Sequence, residues 1–200
     1  MEYYEVINRR RMVRSFREDP LEDAVIERLV TAGLQGPSAG FSQGFALLVL
    51  ASPEDREQFW TTNEHNAQPE RVRRAPLVVV PLACKDDYLD RYAEPDKGWT
   101  DRDESRWPVP YWYIDTGMAA LNVLHAAVAE GLGALFFGIP DEDWPALRDT
   151  FDVPDAYDPI GAVVVGHPDD ERVESSATTR RRRDVEELVH GGGWGEPFRS

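Results

Sequence analysis

Residues 115–130 (DTGMAALNVLHAAVAE) constrain this chain more than any other stretch. They read as a helix that is apolar almost all round and rich in alanine. A helix without a broad polar face must be covered on several sides, so it belongs between layers. Gly131-Leu132-Gly133 ends it. Four short apolar runs read as strands: 45–51 (FALLVLA), 77–84 (LVVVPLAC), 134–138 (ALFFG) and 160–166 (IGAVVVG). Pro81 cannot donate a ladder hydrogen bond, so the second strand is expected to bend or to lie near an edge there.

Shorter helices fill the intervals. Residues 3–10 form one, with Tyr3, Val6, Ile7 and Arg10 near one face. Asp19-Pro20-Leu21-Glu22 has the form of a helix start, with an Asp cap, Pro at the first position and Glu at the third. Val25, Leu29 and Ala32 give that helix a buried face, and Gly36-Pro37 stops it. Ser52-Pro53-Glu54-Asp55 caps another helix through about Trp60. Residues 141–151 supply a further one, with Pro145 in its first turn. Two helices thus precede the first strand, and helices and strands then alternate. The pattern predicts a three-layer α/β or α+β sandwich in a single domain over residues 1–200. Residues 85–113 interrupt it with many charges, Pro95, Gly98, Pro108 and Pro110, and Tyr88, Tyr92, Trp99, Trp107, Tyr111, Trp112 and Tyr113. So aromatic an excursion is not a linker.

Charge narrows the function. The chain has 22 Lys+Arg against 37 Asp+Glu, a formal net charge of −15. Such an exterior repels nucleic acid and anionic membranes, so neither is an expected partner. Yet Arg9, Arg10, Arg11, Arg14 and Arg17 crowd one end, and Arg180, Arg181, Arg182 and Arg183 form an unbroken run near the other. Arginine's planar fork suits phosphate, so the two clusters can converge on one small phosphorylated ligand. The single cysteine, Cys84, allows no intrachain disulfide and reads as a buried structural thiol, compatible with the cytoplasm. The start of the chain lacks the layout of a signal peptide, and no apolar run reaches the ~20 residues that cross a bilayer. His65, His125, His167 and His190 show no metal-ligand spacing, and no metal site is expected.

The glycine motifs do not carry a nucleotide by themselves. The GxG of Gly131-Leu132-Gly133 follows a helix and precedes a strand, the reverse of a dinucleotide fingerprint. Gly191-Gly192-Gly193 lacks the lysine and helix of a phosphate-binding loop, and no GxSxG occurs.

Arg10-Arg11-Met12-Val13-Arg14-Ser15-Phe16 is followed by a helix, then by Gly36-Pro37-Ser38-Ala39-Gly40-Phe41-Ser42-Gln43-Gly44-Phe45, then by a strand. In this order the chain resembles the nitroreductase family of FMN-dependent oxidoreductases, which open with R-R-S-x-R-x-F and continue with P-S-x-x-N-x-Q-P-W. Asp115-x-Gly117-x-Ala119-Ala120-x-Asn122 looks like the family's buried central helix. Residues 160–168 look like its final core strand, and the arginine run beyond like its tail. Met12, Phe41 and Gly44-Phe45 depart from the family pattern, and these departures bear on substrate range.

The resemblance implies an α+β fold, a three-layer α/β/α sandwich with a central mixed or antiparallel sheet. It implies a homodimer with FMN at the interface and the C-terminal extension exchanged. Arg10, Arg11, Met12 and Arg14 would line the phosphate, ribityl and pyrimidine side of FMN, with Arg14 nearest the pyrimidine. Gln68 and Arg71, with Asn66, are further candidates. Pro37, Ser38, Ala39 and Gly40 would approach the flavin edge from the partner subunit. Backbone groups of Phe137, Gly138 and Ile139 would face flavin N5, and Arg181 and Arg183 would hold the phosphate. No catalytic side chain is required, because the flavin does the chemistry. The implied cycle is ping-pong, from NAD(P)H to a small-molecule acceptor such as a nitroaromatic or quinone. Phe41, Trp99, Trp107 and Trp112 are substrate candidates, with residues 85–113 either a lid over the flavin or a dimer arm. A flavoprotein of the same fold with other chemistry (dehalogenation, ring oxidation, a deazaflavin partner) and a non-catalytic flavin-binding protein are the alternatives.

Overall fold

Period-two alternation decides the architecture. The computed structural model describes residues 1–171, 173–174 and 176–198. Strands β1 (Phe45–Leu50), β2 (Leu77–Cys84), β3 (Gly133–Phe137), β4 (Tyr157–Pro159) and β5 (Ala162–Gly166) form one sheet. Its order is β1-β2-β5-β3, β4 also pairs with β2, and every ladder is antiparallel. The helices are α1 (Tyr3–Arg9), α2 (Asp23–Leu34), α3 (Pro53–Thr62), α4 (Glu70–Arg73), α5 (Lys85–Ala93), α6 (Tyr111–Ala129), α7 (Trp144–Phe151) and α8 (Ser176–Thr179).

Successive strand residues go to opposite faces. Val78, Val80 and Leu82 of β2, with Leu135 and Val164, meet Phe59 and Trp60 of α3 and Leu147 of α7. Leu77 and Val79, with Ala134, Val163 and Val165, meet Leu29 of α2 and Ala120, Val123, Leu124 and Ala127 of α6. The result is three layers, helix on sheet on helix. Burying each of these Val, Leu and Phe side chains stabilises the fold by about 1.5–3 kcal/mol relative to exposure. Among the described residues no helix is long and apolar enough to cross a membrane.

Pro81 lies within a central strand, not at the sheet's edge. It sits where β2 changes partner, since β5 pairs with residues 77–79 and β4 with residues 82–84. Its carbonyl accepts from Ile160 N–H at 3.1 Å. The absent N–H thus falls at the seam between two partners, where a ladder bond is already interrupted.

Three element boundaries differ from the sequence reading. The second helix begins at Asp23 rather than after Asp19, because the Asp19 carboxylate pairs with Arg17 Nε at 2.6 Å and Glu22 is extended. The central helix begins at Tyr111 rather than Asp115, because Trp112 is buried with Tyr88 and Ala83 and adds a turn. The last core strand begins at Ala162, and the short β4 precedes it, held by Arg148, which donates to Tyr157 O at 2.8 Å and to Asp158 Oδ1 at 2.8 Å.

Residues 85–113 open with α5 and then fold back on it. Lys85 pairs with Glu104 at 2.8 Å and Arg102 with Asp90 at 2.8 Å. Trp107 lies at the centre of the fold-back, its ring 4.5 Å from Tyr92, 5.6 Å from Trp99, 5.7 Å from Tyr111 and 6.1 Å from Trp112.

Met1–Asp170 form one compact unit and Glu171–Ser200 a second. The second contains α8, a single 3-10 turn over Val185–Glu187 and a bridge between His190 and Pro197.

Candidate functional site

The N-terminal arginines lie on a ribbon laid along the sheet. α1 closes with Arg10 N–H donating to Val6 O at 2.9 Å. The chain then runs beside β3, where Met12 bridges Ala134 in parallel and Val13 N–H donates to Ala134 O at 2.9 Å. Gly133 permits this approach, since a Cβ there would lie 2.7 Å from Val13 Cγ2. Phe16 is fully buried, and its N–H donates to Arg71 O of α4 at 2.9 Å.

The guanidinium groups on this ribbon behave differently. Arg11 Nη1 donates to Asn8 O at 2.6 Å and Arg10 O at 2.9 Å, which satisfies carbonyls at the end of α1. Arg14 Nη1 donates to Met12 O at 3.0 Å. Arg10 Nη1, and Arg71 Nε on the adjoining α4, are buried and have no hydrogen-bond partner among the described residues. Buried donors left unpaired are costly, and those on cations more so. Both nitrogens fit an anionic ligand.

Two loops extend the ribbon. Asn66 Nδ2 donates to Gly138 O at 2.7 Å, and Gln68 Nε2 donates to Asn66 O and Oδ1, each at 3.1 Å. His65 Nδ1 meets Asp143 Oδ1 at 2.6 Å, and Asp143 is 3 % exposed. The hydrogen bond to Asp143 raises the His65 pKa above the ordinary histidine value. Trp60 stacks on Phe137 at 5.9 Å, and Trp144 Nε1 donates to Ile139 O at 3.1 Å. Gly138 is exposed, and a Cβ placed on it would meet nothing within 4 Å. The backbone is therefore open to approach at the end of β3. Trp60 Nε1 and Asn63 Oδ1 are also buried, without partners among the described residues.

The Pro37–Phe41 loop is held by other elements. Ala39 N–H donates to Asp115 Oδ2 of α6 at 2.7 Å, and Arg91 Nε of α5 donates to Gly40 O at 2.9 Å. Ser38 Oγ accepts from Gln43 N–H at 2.9 Å. Phe41 stands 76 % exposed beside a cleft of about 490 Å³ lined by Leu34, Gln35, Gly36, Pro37, Gln43 and Phe45. Trp99 and Trp107 are half-buried in the aromatic cluster on α5, and Trp112 is 4 % exposed beneath it. In the C-terminal unit, Arg181 pairs with Asp184, and Arg183 Nε pairs with Glu187 at 2.9 Å; both arginines are exposed. Cys84 is buried, and burial pushes its thiol pKa up.

Several participants escaped the sequence reading. Asp115 was part of a helix motif, yet one acid in an otherwise apolar helix is itself a signal of a buried partner set. Asp143 and Tyr88 gave no comparable signal, because their partners lie 78 and 27 residues away.

Comparison with known proteins identifies the fold and the family. The Nitroreductase family model matches residues 7–64 and 59–167. NADPH-dependent oxidoreductases of Staphylococcus aureus are similar over 169 residues, at 27% identity in strain USA300 and 26% in strain RF122. The alignments cover 84% of this chain, which spans about 65% of the length of those relatives. Among solved structures, a Desulfovibrio desulfuricans chain with a provisional nitroreductase name, in complex with FMN, is similar at TM-score 0.72 and 20% identity, covering 100% of this chain and 99% of its own. A nitroreductase family protein from Streptococcus pneumoniae gives TM-score 0.72 and 16% identity, covering 95% and 100%. These likenesses establish the fold, and the family model accounts for most of the sequence: this chain belongs to the nitroreductase family.

Proposed function

We propose that the protein is an FMN-dependent NAD(P)H oxidoreductase that acts as a homodimer on a flat acceptor such as a nitroaromatic or quinone. The observation that carries the reading is the pair of buried cationic nitrogens without partners among the described residues, Arg10 Nη1 on the ribbon beside β3 and Arg71 Nε on α4, whose carbonyl accepts from Phe16 N–H of that ribbon. The FMN bound in the D. desulfuricans neighbour and the NADPH-dependent relatives support it.

FMN held there would supply the redox chemistry that links NAD(P)H to the acceptor in a ping-pong cycle. The chain's task is placement and charge. Arg10 and Arg71 offer unpaired donors to the anionic portion of the ligand, with Arg14 beside them and Arg11 and Met12 contributing less. Arg181 and Arg183 would take the phosphate in place of Asp184 and Glu187, their present partners. Asn66 and Gln68 hold the carbonyl of Gly138, so the open backbone over Phe137, Gly138 and Ile139 keeps one geometry toward the reacting edge. The Pro37–Gly40 loop is supported by α5 and α6, away from the ribbon's bonds, and it completes the site of a second copy. Phe41 offers an exposed face for an aromatic acceptor.

The absorption spectrum of the purified protein, followed on adding NADH or NADPH, tests this reading. The expected result is a flavin spectrum that bleaches under anaerobic donor and returns with a quinone. A colourless protein that takes up no FMN would refute it. A flavin spectrum unmoved by either donor would favour a flavoprotein of different chemistry.

A further inference from the structure

Asp115 is 2 % exposed inside an apolar helix. A carboxylate so placed persists only where donors meet it. Its Oδ2 accepts from Ala39 N–H at 2.7 Å and from Tyr88 O–H at 2.9 Å. Tyr88 is itself fully buried; burial first, and its bond to Asp115 second, push the phenol pKa up, so it stays protonated and donating. Arg91 grips the next residue through Gly40 O, and Asp96 accepts two bonds from its other nitrogens at 2.7 and 2.8 Å. The Tyr92 ring lies under Gly40, where a Cβ would come within 2.7 Å of Cε2.

The loop so gripped is in an unfavourable conformation. Gly40, Phe41 and Gln43 have φ of 62°, 57° and 52°. Glycine accepts this region, whereas a bulky residue there is a strained outlier. Phe41 nevertheless holds it while its ring points out beside the 490 Å³ cleft. Strain of this kind persists when surrounding contacts over-determine it, and it marks segments held for a purpose.

We propose that Asp115, Tyr88 and Arg91 are positioning residues that hold Phe41 outward to select planar aromatic acceptors, and that residues 85–113 are the buttress of this loop. The proposal deepens the oxidoreductase reading and rests on it for the identity of the acceptor. In that role the segment packs back on α5, with Arg102 paired to Asp86 and Asp90 and the Trp107 ring against Tyr92.

The test compares Tyr88→Phe, Asp115→Asn, Phe41→Ala and the Tyr88→Phe/Phe41→Ala double variant with the wild-type holoenzyme. Backbone hydrogen exchange is read at residues 38–43 and in β2. Initial rates are read with a flat quinone and with hexacyanoferrate(III), an acceptor without a ring. Removing a hydrogen bond to a buried charge should speed loop exchange about tenfold or more and leave β2 unchanged. Tyr88→Phe should raise the quinone KM about as much as Phe41→Ala, leave hexacyanoferrate turnover within about twofold, and add nothing in the double variant. Unchanged loop exchange in both Tyr88→Phe and Asp115→Asn would overturn the proposal. So would losses that are equal for the two acceptors or additive with Phe41→Ala. If the wild type reduces neither acceptor, the function proposed above fails, and loop exchange alone then decides whether the brace exists.

Discussion

Arginines on the ribbon and on the adjoining α4 have different fates. Arg11 turns back on the carbonyls of α1, whereas Arg10 Nη1 and Arg71 Nε remain buried and unpaired. Charge-assisted hydrogen bonds of this kind are worth about 1.5–3 kcal/mol. Arg10→Ala and Arg71→Ala should therefore each weaken FMN retention about tenfold or more, while Arg11→Ala weakens it less; a flavin fluorescence titration reads the difference. His65 gives a second prediction. Its bond to Asp143 ties the loop after α3 to the loop after β3 and raises its pKa in the folded state. The tie is fully present below the unfolded pKa of about 6.5 and is lost as pH rises through the higher folded value. Urea midpoints should accordingly decline as pH rises above about 6.5 in the wild type, and His65→Gln should flatten that decline.

At the scale of elements, local rules succeed where local atoms satisfy them. Ser52 Oγ accepts from Asp55 N–H at 3.0 Å, so the Ser-Pro-Glu-Asp start of α3 was legible. Ser52→Ala should cost about 1 kcal/mol in a denaturant titration, as loss of a helix cap does. The same reasoning misplaced the start of α2, because Asp19 found a closer partner in Arg17. It also shortened α6 by a turn. Propensity does not favour helix at Tyr111 and Trp112, and only burial against Tyr88 and Ala83 supplies the stabilisation. The strands were legible to within a residue or two, since runs such as LVVVPLAC leave few alternatives to a buried strand. β4 was not, because an Asp-Pro pair reads as a turn until β2 offers an edge.

The whole molecule leaves apolar surface on one flank. Tyr3 and Ile7 of α1 and Ile114 and Leu121 of α6 are all exposed, and Tyr3 lies edge-on to His125 of α6 at 6.2 Å. An apolar band across two adjacent helices is suited to a second copy of the same surface. Leu121→Glu should convert a two-chain particle in sedimentation into a single chain and loosen FMN in parallel, if the site is shared between subunits as proposed. A wild type that sediments as one chain at all concentrations would contradict the dimer.

The sequence alone determined the layers, the strands other than β4 and the positions of the arginines, because hydrophobic period and residue chemistry are written along the chain. It did not determine which arginine would be left unpaired, nor that Asp115 would meet Ala39 and Tyr88. Those outcomes depend on groups 76 and 27 residues apart arriving at one carboxylate oxygen. Only packing of α6 against the sheet and α5 brings them there, since a hydrogen bond is decided by distance in space and a helix motif only by distance along the chain.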